Sequence, residues 1–283
     1  MIHIRIIESL FVLLLATSLA SAQCSDAGVC SVGKKPTTHR HQIGASYAYG
    51  KGKPADGLAI HAAALEVSLN FSRESQLFLS LPWSSQSGPL GSTSGIGDLT
   101  LVWSQSVFNE DSHQLNIQIG GKLATAGVNK GNLPQAYQSG LGTNDLLFGL
   151  TYAIDNWSTT IGYQLSRGRS ENKIDRLMRG DDALLRVGYG TVLGETKLST
   201  DILAIKRLKE SSVLDRAKPG SDAFVDLPGS DQFQINLLGR AVIPLQTDYS
   251  LNLLAALPLL NRKVNVDGLT RSITLSAGLV LAM

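Results

Sequence analysis

From residue 42 onward, bulky apolar residues recur at every second position. In the first such run Ile43, Ala45, Tyr47 and Tyr49 share one face, while Gln42, Gly44, Ser46 and Ala48 share the other. In the next, Ala63, Leu65, Val67, Leu69 and Phe71 oppose Ala62, Ala64, Glu66, Ser68 and Asn70. The same alternation returns over residues 77–83, 98–103, 115–123, 145–152, 157–165, 182–189, 197–204, 232–241, 249–257 and 272–281. A period of two is the signature of a strand with two unlike faces. The pattern predicts about twelve strands of roughly 8–12 residues, the length a tilted strand needs to cross a bilayer.

The chemistry of the two faces decides what kind of sheet this is. A soluble sandwich or small barrel fills its interior with bulky residues. Here the second face carries Gly, Ser, Thr, Asn and Gln, and it suits a water-filled interior, with the apolar face against lipid. Backbone groups in lipid must all be paired, which an open sheet cannot do. The expected fold is therefore all-β: a transmembrane antiparallel up-and-down β-barrel of about twelve strands. No segment after residue 22 holds the ~18 consecutive apolar residues of a helical span.

Connection lengths support this reading. Residues 72–75, 109–112, 155–156, 193–195 and 244–248 form short turns, whereas 50–59, 84–95, 127–143, 167–181, 208–230 and 261–269 form longer connections. Short periplasmic turns and long external loops are the outer-membrane rule. Aromatic residues follow it too: Tyr47, Tyr49, Trp83, Trp103, Tyr152, Trp157, Tyr189 and Tyr249 stand on the apolar face near strand ends, as interfacial girdles do.

Composition fits such a chain. Only 17% of the 283 residues are charged, against ~25% in ordinary soluble domains. The 25 Lys and Arg nearly balance 23 Asp and Glu, which argues against a nucleic-acid partner. Arg5 precedes an apolar stretch that ends in Ala20-Ser21-Ala22, a pattern expected of a cleaved signal peptide over residues 1–22. Residues 23–41 then form a periplasmic N-terminal tail and residues 42–283 the barrel. Cys24 and Cys30 lie in CSDAGVC, and an oxidising compartment favours a small disulfide loop. No further Cys or His stands at metal-ligand spacing beside them, and no cofactor is expected.

The sequences GIGDLTL (95–101), GTNDLLFGLTY (142–152) and, more loosely, GDDALLRVGYG (180–190) resemble strand entries of the outer-membrane barrel family associated with the meta-pathway of phenol degradation. The tail CSDAGVCSVG resembles some members as well. The resemblance implies transport of small compounds, apolar or aromatic ones among them. The chain departs from common barrel practice in ending on Met283 rather than an aromatic residue, which bears on how the barrel-assembly machinery would recognise it.

The alternation places Glu66, Asp98, Lys122, Asp145, Asp182, Arg186, Lys197, Asp201 and Arg240 on the lumen face. Five acids against four bases give no clear charge selectivity. They line a polar path that orients a permeant, or pair internally and stiffen the barrel. Asp98, Asp145 and Asp182 recur at strand starts near the outer rim, where an Asp can also hold a turn. His61, near the outer rim on the lipid face, is the one position for a rim hydrolase base, but no Ser stands out as its partner. The expectation is a non-enzymatic channel in the bacterial outer membrane, surrounded by lipid and passing small molecules by diffusion. The alternative is a plugged structural or adhesive barrel with partner-binding loops.

Overall fold

A computed structural model describes residues 32–33, 40–51, 57–110, 112–218, 220, 222–264 and 273–283. The expected signal peptide and the Cys24–Cys30 pair lie outside them. The elements are β1 (Gln42–Lys51), β2 (Ala59–Asn70), β3 (Ser75–Gly88), β4 (Gly91–Ile96), β5 (Leu99–Glu110), β6 (His113–Leu123), β7 (Asn144–Ile154), β8 (Trp157–Arg167), β9 (Asp182–Leu193), β10 (Thr196–Arg207), β11 (Ser212–Leu214), β12 (Phe224–Asp226), β13 (Phe233–Pro244), β14 (Tyr249–Leu260) and β15 (Thr274–Ala282).

Each wall strand pairs antiparallel with its neighbours in sequence, and β1 pairs with β15 to close the sheet. The result is a closed antiparallel barrel of twelve strands. β4 and β5 together make one wall strand: both pair with β3, and their register slips by one residue between Trp83↔Ile96 and Ser80↔Thr100, across Gly97–Asp98. Closure leaves no unpaired sheet edge to face hydrocarbon.

All twelve alternating runs fall on wall strands. Residues 84–95, expected as a loop, instead continue the β3–β4 hairpin as far as the pair Gly88↔Gly91. Its outward positions there are Ser85, Ser87, Ser92 and Ser94, so the hydrophobic half of the alternation is lost. A hairpin that rises past the bilayer has no lipid to bury against, and its period-two signal fades. A second hairpin, β11–β12, lies inside the long connection between β10 and β13. Beside it, burial first and the neighbouring Arg176 second pull the Arg169 guanidinium below its ordinary value, opposed by Asp226; its carbon lies 3.4 Å above the Phe224 ring.

The outside is a continuous apolar surface: Leu65, Ile117, Ile119, Leu150, Ile161, Leu185, Ile202 and Leu279 are all exposed. A patch of that extent on a protein surface needs a non-aqueous partner. The inside is mostly polar, with Gln76, Thr100, Ser104, Asn116, Gln118 and Gln164 buried there and Thr151 hydrogen-bonded to Thr160 across β7 and β8 at 2.9 Å. Three apolar clusters interrupt it. Leu184, Leu203 and Ile205 pack with Leu238; Val32, Val102 and Leu147 pack with Phe78; and Leu58, Ile60 and Tyr137 pack with Leu133 and Ala136.

The lumen as candidate functional site

The inward faces converge on a cavity of about 250 Å³ toward the short-turn half of the barrel. Its lining mixes polar Glu66, Gln76, Gln118, Arg240 and Asn252 with apolar Phe78, Val102 and Leu254. Glu66 and Arg240 are the two lumen charges from the alternation that reach this cavity. Asn252 presents a buried Oδ1 with no hydrogen-bond partner among the described residues.

Three others form one cluster nearer the loops. Lys122 Nζ lies 3.0 Å from Asp145 Oδ2 and 3.8 Å from Asp98 Oδ2, with all three side chains buried. They meet because β5, β6 and β7 are adjacent and Thr100↔Lys122 and Lys122↔Asp145 are direct register pairs. Gln164 donates to Asp145 Oδ2 at 2.6 Å, and the Arg167 N–H donates to Oδ1 at 3.2 Å.

Asp182 is fully buried and accepts from three guanidinium groups: Arg179, Arg207 at 3.2 Å, and Arg262 at 3.3 Å. Arg207 continues the inward parity of β10, so alternation points to it. Arg179 and Arg262 come from connections, where periodicity gives no orientation. Arg186 is buried on the inward face of β9. Asp201 is half-buried beside Gly188, whose missing side chain makes room for its carboxylate. Lys197 is exposed at the short-turn end of β10 and joins none of these clusters. Of the nine charges, the structure thus brings together Asp98, Lys122 and Asp145, sets Glu66 and Arg240 on one cavity, sets Asp182 among three arginines and puts Asp201 within electrostatic reach of Arg186.

Within the expected N-terminal tail (23–41), Val32 and Gly33 sit inside the barrel. Val32 is 0% exposed, and the Gly33 N–H donates to Gln118 Oε1 at 2.7 Å. The seat is a notch in the inner wall formed by the register pair Gly149↔Gly162: a Cβ at Gly149 would clash with Val32, and one at Gly162 would touch it at 3.4 Å. Arg40, by contrast, is at the short-turn end, where it bonds Asp248 at 2.7 Å and the Ala282 carbonyl at 2.8 Å. Nothing in a two-residue stretch predicts a contact with strands more than a hundred positions away.

Above the cavity the long connections interlock. Asn172 donates to the carbonyls of Val128 and Leu133, Ser170 donates to Gln135 Oε1 at 2.9 Å, and the Gln135 N–H donates to Asp175 at 2.6 Å.

On the lipid face the aromatic residues pair. Trp157 meets Tyr189 edge-on at 5.0 Å, and Phe71 stacks on Trp103 at 5.4 Å. Tyr152 lies against His113. Tyr47 and Tyr49 both lie against His61, and Tyr47 Oη is 2.5 Å from His61 Nδ1. The hydrogen-bonding partner the structure gives His61 is therefore a tyrosine, not the serine a rim hydrolase would need.

No protein-family model matches the chain, and no curated protein matches it. Solved structures do. An outer membrane channel from Pseudomonas putida F1 superposes with a TM-score of 0.64 at 16% identity, covering 88% of this chain and 100% of that one. The NanC porin gives 0.51 at 7% identity, covering 86% and 100%. The KdgM porin in complex with disordered oligogalacturonate gives 0.50 at 11% identity, covering 86% and 99%. At these identities the likeness is one of fold, that of outer-membrane barrels.

Proposed function

We propose that this protein is an outer-membrane channel through which small molecules diffuse passively, apolar and aromatic ones among them. The observation that carries the reading is the reversal of faces: apolar residues outside, polar residues and a cavity of about 250 Å³ inside. An apolar exterior fits outer-membrane lipid, and a polar lumen fits solute and water. The cavity lining intersperses Phe78, Val102 and Leu254 with Glu66, Gln76 and Arg240. That suits a permeant with an apolar body and a polar group, which gains burial against the apolar residues and hydrogen bonds from the polar ones. The strand-entry resemblance points in the same direction, toward aromatic compounds.

A plugged structural or adhesive barrel is the second reading, favoured by Val32 in the lumen and by the interlocked connections. Swelling of proteoliposomes in small aromatic alcohols and acids, against sugars of similar mass, separates the two. The channel reading expects faster entry of the aromatic solutes than of the sugars. Absence of entry by every small solute would sink it and leave the plugged barrel.

A further inference from the structure

The connection between β6 and β7 does not stand outside the barrel. Tyr137, Gln138 and Ser139 lie on the inner wall of the β3–β4–β5 region: Thr93 donates to the Tyr137 carbonyl, Gln86 to the Gln138 carbonyl at 3.1 Å, and Ser139 to the Ser84 carbonyl at 3.4 Å. The wall is bare where the segment lies. A Cβ at Gly88 would meet Tyr137 Oη, one at Gly95 would meet Lys130, and one at Gly97 would stand 2.8 Å from the Ser139 carbonyl oxygen. Three inward positions without side chains make a groove whose occupant is this segment.

The far side of the segment reaches a second long connection. Gln135 and Leu133 bond Asp175, Ser170 and Asn172 in the connection between β8 and β9. The segment is therefore a chord across the loop-end mouth. Asp98 ties down both its ends. Oδ1 accepts the Ala126 N–H at 3.2 Å, and Oδ2 accepts the Leu141 N–H at 2.8 Å and the Gly142 N–H at 3.1 Å. Gly142 takes a φ of +63°, which lets consecutive N–H groups turn onto one carboxylate. Asp98 can reach them because it occupies the register slip between β4 and β5, where the wall strand kinks and re-aims a side chain.

We infer that residues 126–142 are the size filter of the channel and that Asp98 is the positioning residue that seats them. This rests on the channel reading. A solute entering from the loop end must pass the chord, so its gap sets the largest solute admitted. Asp98 acts through the segment and need not touch the permeant.

The test uses the full chain in liposomes, as wild type, Asp98→Ala and Tyr137→Ala, with swelling in a graded series of oligosaccharides. A Ser139→Cys background, labelled by a membrane-impermeant maleimide and read against the parent chain, reports whether the segment leaves its groove. Both variants are expected to admit larger sugars than the wild type. The thiol introduced by Ser139→Cys is expected to react at least about tenfold faster in both, through loss of hydrogen bonds to a charged acceptor in Asp98→Ala and of buried aromatic packing against Leu58 and Ile60 in Tyr137→Ala. Should Asp98→Ala fail to assemble, Tyr137→Ala still decides, since Tyr137 belongs to the segment and not to the wall. If the wild type passes solutes and both variants keep its cut-off, the filter alone falls. If the reactivity of the introduced thiol stays unchanged, the seat falls. If the wild type passes neither these sugars nor small aromatic solutes, the channel reading falls and takes the filter with it.

Discussion

Lys122 shows what a single residue does in this lumen. It lies between Asp98 and Asp145, two buried carboxylates that would repel each other without it. Replacing one partner of a buried charge cluster costs more than the net worth of the cluster, because the remaining charges keep their desolvation penalty. Lys122→Met is therefore expected to destabilise the barrel by about 1–3 kcal/mol, read as a lower temperature for loss of the folded, fast-migrating form on unheated gels. Lys122→Arg keeps the charge and is expected to lose much less; equal loss in both would mean that shape, not charge, matters there. Asp98 itself has two tasks, facing Lys122 on the wall and holding N–H groups of residues 126, 141 and 142. Its inward direction was legible in the alternation. Its second task was not, because an N–H more than twenty positions away leaves no periodic trace in the sequence.

At the scale of the strand, hydrophobicity alternates only where the environment does. β6, β7 and β8 lie between lipid and lumen over their length, and the sequence shows them plainly. The upper β3–β4 hairpin, flanked by outward serines, does not alternate, yet it pairs as regularly as the rest. The aromatic girdle is also an element-scale property, since its members meet only through register. Trp157 lies opposite Tyr189 because β8 and β9 pair at that position. A double-mutant cycle of Trp157→Ala and Tyr189→Ala, followed by reversible unfolding in bilayers, is expected to give a coupling of about 0.5–1.5 kcal/mol. A coupling near zero would mean that each ring anchors in the interface independently.

For the whole molecule, the reversal of faces makes opposite demands on neighbouring positions. Leu150 faces outward near the middle of β7 and is exposed. Leu150→Arg is expected to cost about 2–4 kcal/mol when the barrel sits in a bilayer. Ser104 lines the inner cavity, so Ser104→Arg keeps its charge in the polar lumen and is expected to cost far less while shifting ion selectivity toward anions. Unfolding titrations of both variants in the same lipid, with reversal potentials for the second, check the pair. Equal costs would mean that the outer surface does not meet hydrocarbon.

What the amino-acid order determined by itself was the two-faced strand, its repetition, the alternation of short and long connections, and hence the closed barrel with its lumen charges facing in. Each of these depends on a residue and its neighbours within a few positions, and the bilayer imposes the same demand on every strand. Tertiary structure alone decided which inward charges meet, that Val32 sits in a notch between two glycines, and that residues 126–142 fold into the mouth. Those contacts join strands and connections distant in sequence. A glycine left bare for a distant occupant looks, along the chain, like any other small residue on a lumen face.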